Sequence, residues 1–159
     1  MTKRAETLAD RIQQGARSLA KFVDGLSDEQ WRTRVADGRT VGVVVHHVAS
    51  VYPVEMQLTR AIVSGNSVED VTWDAVNKMN GEHAKEFADV SKEEALSLLH
   101  RNSSEAAAGV RSLTDEDLDR AAPFGLSYGA PVTAQFVIED HPLRHSWHHL
   151  ARIRTALGK

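Results

Sequence analysis

The sequence predicts an all-α fold, a four-helix bundle, on three observations. Apolar residues recur at helical spacing in four long stretches. Cap and turn signals separate those stretches. No segment shows convincing strand alternation, and no glycine-rich phosphate loop occurs. At 159 residues the chain has the size of one domain with its own core, so residues 1–159 are expected to fold as a single unit.

The elements follow in order. Residues 4–24 read as a helix, with Leu8, Ile12, Leu19, Phe22 and Val23 at helical spacing and Gly25 as its stop. Ser27, Asp28, Glu29 and Gln30 have the pattern of a capping box that opens a short turn carrying Trp31. Thr40 N-caps a second long helix that reaches about Ser64. Its apolar stripe is Val41, Val44, Val45, Val48, Tyr52 and Ile62, and Pro53 is expected to kink it. Residues 73–89 are weakly patterned and 91–113 more clearly so. They are read either as two helices or as one broken helix. Residues 121–131 are expected to be a loop. A last helix is expected from about 132 to 157, bent or split near Asp140 by Pro142. The segments 26–31 and 113–118 echo each other, as two helical hairpins of similar build would. Trp31, Trp73 and Trp147 read as core or half-buried packing residues.

Composition narrows the function. A net charge of −3 with no basic stripe gives no reason to expect a nucleic-acid partner. The absence of cysteine excludes disulfides, thiolate metal sites and a cysteine nucleophile, and it fits the reducing cytoplasm expected as the location. The first residues lack the apolar core of a signal peptide, and no apolar run is long enough for a bilayer, so no membrane partner is expected. No Gly-x-Ser-x-Gly elbow occurs, and the histidine pairs lack the Glu-x-x-His pattern of di-iron bundles.

The eight histidines are the unusual feature. Six fall in two clusters, His46-His47 and His141/His145/His148/His149. Residues i and i+4 share a helix face, so His145 and His149 can reach one metal ion, with His141 one turn earlier on the same row. A catalytic site usually takes a third protein ligand from elsewhere. His47 lies at the edge of the apolar stripe of the second helix, whereas His46 points nearly away from it, at about 100° per residue. His47 is therefore the better candidate. His46, His83, His100 and His148 read as structural or solvated. Glu55 falls on the apolar stripe itself and reads either as a partly exposed acid or as an acid supporting the site or lining its pocket. Zinc is the default ion, with nickel as the alternative, because both suit imidazole.

Two motifs carry a resemblance. Arg39-Thr-Val-Gly-Val-Val-Val-His-His-Val-Ala49 resembles the start of the second helix in the DinB-like superfamily of DinB and YfiT-like metalloenzymes. His145-Ser-Trp-His-His-Leu-Ala-Arg152 resembles that family's last-helix motif, His-x-x-His-His-x-x-Gln. The resemblance maps the metal ligands to His47, His145 and His149 and implies an up-down-down-up bundle. The chain departs from the pattern at Arg39, where tryptophan is frequent, at Arg152, where glutamine is common, and at Pro142. Mycothiol-dependent maleylpyruvate isomerases commonly carry glutamate at the position of His145, so likeness to that subgroup is weaker.

The resemblance implies a metal-dependent transferase acting on a low-molecular-weight thiol, such as bacillithiol or mycothiol, and an electrophilic substrate. Arg144 or Arg152 would supply a basic thiol-binding group, and His141, Glu55 and Arg152 are candidates for the pocket around the metal. A hydrolase on the same ligands and a non-catalytic, stress-associated metal-binding bundle are the alternatives. A homodimer is expected by resemblance alone.

Overall fold

The computed structural model describes residues 2–159. Lys3–Asp24 form α1, capped by the Thr2 side chain. Its buried residues Leu8, Ile12, Ala16, Leu19 and Val23 recur every three or four positions and form its core face. Ser27 caps α2 (Asp28–Trp31), and the Gln30 side chain accepts from the Ser27 amide to close the capping box. Thr40 caps α3 (Val41–Val63), Thr72 caps α4 (Trp73–Glu86) and Ser91 caps α5 (Lys92–Arg111). Thr114 and Asp117 close a second capping box on α6 (Asp115–Asp119). The two echoing segments are thus the same local device, each placed after a long helix.

Contacts between side chains set the helix directions. Lys92 reaches the Asp24 carbonyl at one end of α1, and Arg111 pairs with Glu6 at the other, so α1 and α5 are antiparallel. Asn102 meets Ala49 and Gly109 lies against Met56, so α3 and α5 are parallel. The last helix runs parallel to α1: Arg11 pairs with Glu139, Gly15 lies against the Trp147 indole, and Arg154 sits over the Phe22 ring. The order is therefore up-down-down-up. Two parallel neighbours need a crossover, which residues 64–91 supply through α4.

α4 and α5 are separate helices rather than one broken helix, because α4 runs back along α3 before α5 descends again. None of the residues of α4 is buried, and it covers the outer side of α3. The α3 helix passes through Pro53 as one continuous element. Proline removes the amide that would bond the Ala49 carbonyl, and the Asn102 side chain donates to that carbonyl instead, at 2.9 Å.

The segment 121–131 corrects the expectation of a loop. Ala121–Pro123 (β1) and Pro131–Thr133 (β2) pair antiparallel around a 3₁₀ turn at Gly125–Ser127. Strands of three residues are too short to show alternation, which hid them in the sequence. The last helix begins at 134 rather than 132. It consists of α7 (Ala134–Ile138), a π-turn (Glu139–Leu143) and α8 (Arg144–Leu157). Pro142 would press its ring on the Ile138 carbonyl in regular α geometry, and the wider π spacing relieves that clash.

The main core lies between α1, α3, α5 and α8, around Ile12, Leu19, Val44, Val48, Leu99 and Ile153. A smaller cluster of Ile62, Val68, Phe124, Leu126 and Val137 sits under the hairpin. Of the tryptophans only Trp31 is core, its indole donating to the Val90 carbonyl at 3.1 Å. Trp73 and Trp147 are 43% and 38% exposed, so both are less buried than the sequence suggested.

Candidate metal centre

The antiparallel seam of α3 and α8 brings His47 opposite His145 and His149. Their ring centroids are 4.8–5.5 Å apart. One ring nitrogen of each lies within 4.8 Å of the others, and His47 Nε2 is 3.2 Å from His145 Nε2. Nitrogens bound to a tetrahedral zinc ion are about 3.3 Å apart, given Zn–N bonds of about 2.0–2.1 Å. One pair already has that separation, and the third nitrogen lies within 4.8 Å of both.

Electrostatics favour ligands in the neutral form. His47 and His149 are 5% and 4% exposed. Burial first, then the neighbouring His145, pushes the His47 pKa down to about 2 and that of His149 well below the usual imidazole range. Each ring therefore keeps a lone pair at neutral pH. The Nδ1 of His149 is buried and has no hydrogen-bond partner among the described residues. An orphaned buried nitrogen on one of three clustered imidazoles calls for a partner such as an ion.

Glu55 sets the third ligand. Its Oε1 accepts from His145 Nδ1 at 2.9 Å, which leaves the lone pair of Nε2 turned towards His47. Glu55 is 6% exposed, so the alternative of a partly exposed acid does not hold: α8 covers the stripe where it sits. One residue along α8, Ser146 Oγ and Tyr52 Oη are 2.8 Å apart in full burial and clamp the two helices together.

His46 takes the structural alternative. It does face away from the main core, yet it is only 3% exposed, because α4 covers that side. Its Nδ1 is 2.8 Å from His83 Nε2, and its ring stacks on Phe87. His148 is exposed at the cavity rim. The π-turn takes His141 out of the row of His145 and His149. His141 lies against Phe124, 3.6 Å from Asp140, and lines the adjoining cavity.

That cavity has a volume of about 250 Å³. The three histidines and Glu55 line one side. Val54, Leu58, Trp73, Val76, Met79 and Leu126 line the apolar part, and the Trp73 indole is fixed by donating to the Leu126 carbonyl. Arg39, Arg144 and Arg152 complete the lining. Arg152 Nη2 is 3.0 Å from Asp37, and Arg39 grips the same carboxylate through Nε and Nη2 at 3.2 and 2.9 Å. Those hydrogen bonds from Arg39 hold the Asp37 carboxyl at about 2. This group was not legible in the sequence. The available signal was a carboxylate two residues before Arg39, but its meeting with Arg152 is set by the packing of distant segments.

Comparison with known proteins agrees with this description. The family described as the DinB superfamily matches residues 11–153. YfiT from Bacillus subtilis, described as "a probable metal-dependent hydrolase with an unusual four-helix bundle topology", is similar in structure, with a TM-score of 0.76 and 21% identity, covering 98% of this chain and 87% of its own. An uncharacterized protein from Clostridium difficile 630 is similar with a TM-score of 0.75 and 15% identity, covering 99% of this chain and 98% of its own. No curated protein matches. At such identities the two structures support the fold alone.

Proposed function

The chain belongs to the DinB superfamily, and from that premise we propose that it is a metal-dependent enzyme that transfers a low-molecular-weight thiol to an electrophilic substrate. The observation that carries the metal-dependent reading is the convergence of His47, His145 and His149, with His145 fixed by Glu55, beside a half-apolar cavity. Zinc is the first ion to test and nickel the second, since imidazole suits both.

When bound, a divalent ion on three imidazoles supplies Lewis-acid activation of a nucleophile at its open position. The chain's own residues do the rest. Glu55 keeps His145 in the tautomer that presents Nε2. Burial keeps His47 and His149 neutral and able to ligate. Arg144 and Arg152 both line the cavity, which supports transfer over the alternatives, because basic groups there can hold an anionic thiol or the anionic end of its acceptor. The apolar wall keeps water from competing. With no cysteine in the chain, the thiol comes from the cosubstrate.

Hydrolysis on the same ligands is the second reading, favoured by the description of YfiT. His141, on the cavity lining with its pKa lowered by burial, would then accept a proton from the attacking water. The homodimer is part of the proposal and is read from the mass in solution. The deciding assay gives the zinc-loaded and nickel-loaded chain several small thiols with an electrophilic acceptor, alongside ester and amide substrates. Metal-dependent conjugation is the expected result. Hydrolysis without conjugation would replace the first reading with the second, and neither activity would overturn both.

A further inference from the structure

The cavity is polarised along its length. Arg152 lies one turn beyond His149 on the same face of α8, about 4.5 Å along the axis. At that end Arg39 and Arg152 share the single carboxylate of Asp37, so one positive charge is left unbalanced. The Nη1 of Arg39 is buried and without a partner among the described residues. Asp37 stays a carboxylate because Arg39 holds its pKa at about 2, so the balance is fixed at neutral pH. Arg144 differs, because it is paired with Asp140 and exposed. In the other direction α3 carries Val54, Glu55 and Leu58, and α4 runs antiparallel to it, bringing Val76 and Trp73 to that far end. Arg39 and Arg152 are also two of the positions at which the sequence departs from the motifs it resembles.

We propose that this site selects a substrate with an anionic group on one side of the reacting atom, held by Arg39 and Arg152, and an apolar body on the other, lying against Leu58, Trp73 and Val76. The inference rests on the cavity being the substrate site of the proposed enzyme. An anion there would meet the unbalanced charge of the Arg39–Asp37–Arg152 group, whereas an anionic group at the apolar end would lose its hydration beside Arg144, whose charge Asp140 already balances. The reacting atom falls between, opposite the three imidazoles.

Calorimetry tests this with hexane-1-sulfonate, butane-1-sulfonate and hexan-1-ol, on the zinc-loaded and on the metal-free chain. A sulfonate is a poor metal ligand, so its affinity reads the arginines rather than the ion. Hexanesulfonate is expected to bind at least about tenfold more tightly than hexanol, as suits a charge-assisted hydrogen bond. It is also expected to bind more tightly than butanesulfonate, by about fourfold for each added methylene. The anion preference should persist without metal, so failure of metal binding and failure of this inference are separate outcomes. Arg39→Gln with Arg152→Gln should bring the sulfonate down to the level of the alcohol. Arg152→Gln alone should give part of that loss and keeps the test standing if the double variant folds poorly. Leu58→Asn should weaken both ligands together. Equal affinity for sulfonate and alcohol, a preference that survives loss of both arginines, or no binding of either ligand would overturn the proposal.

Discussion

At the scale of single residues, Glu55 decides how well three imidazoles can act as one ligand set. Its bond to His145 Nδ1 orients that ring, and carboxylates in this position typically contribute 10–100-fold to metal affinity. Glu55→Gln is therefore expected to weaken zinc binding by about that factor in a competition titration with a chromophoric chelator, with little change in helix content. Unchanged affinity would mean that the carboxylate is only packing. The histidines also tie the metal-free chain to pH. Burial puts the folded pKa of His47 at about 2, whereas an unfolded histidine takes up its proton near 6.5. The unfolded state binds more protons between those values, so stability falls as pH drops below about 6.5. The loss is about 1.4 kcal/mol per pH unit from His47 alone. His83, lowered to about 4 chiefly by burial, acts in the same direction. Melting curves of the metal-free chain should move down from pH 7.5 to pH 5. A level or rising melting temperature would contradict the buried, neutral assignment.

Among the elements, α3 is the one the site depends on, and Asn102 supports it from α5. Removing that side chain leaves the Ala49 carbonyl buried and unpaired beside Pro53, a loss of about 1–3 kcal/mol. Asn102→Ala should show it as a lower urea midpoint with an unchanged slope. The long helices were legible in the sequence because burial imposes a repeat of three or four residues, as in Leu8, Ile12 and Leu19. The caps Thr40 and Ser27 were legible because they act within three residues of their targets. The i,i+4 spacing likewise pointed to His145 and His149 as partners. What stayed hidden depends on contacts between distant segments. The burial of Glu55 needs α8 laid over α3, and the burial of His46 needs α4. The hairpin at 121–133 is held by only three paired residues on each strand. The π-turn was half legible: Pro142 marked a disturbance, but its wider hydrogen-bond spacing and its effect on His141 were not readable.

In the whole molecule, two parallel helix pairs and one crossover place the ligands on the α3–α8 seam, with α4 laid along the outer side of α3. Among the described residues, no helix is long and apolar enough to cross a membrane. Because the ligand set exists only when that seam is closed, metal binding should stabilise the fold. Zinc at about a thousand times its dissociation constant adds about 4 kcal/mol. For a chain of this size that is a rise of roughly 8–16 °C in melting temperature. His149→Ala should remove most of this rise. The most direct test of the account is the metal content of the purified chain beside single alanine variants, measured by elemental analysis after zinc loading and desalting. The account predicts one ion per chain in the wild type, in His46→Ala and in His148→Ala, and a loss of most of that ion in His47→Ala, His145→Ala and His149→Ala. Full metal content in those last three, or its loss in His46→Ala or His148→Ala instead, would contradict it.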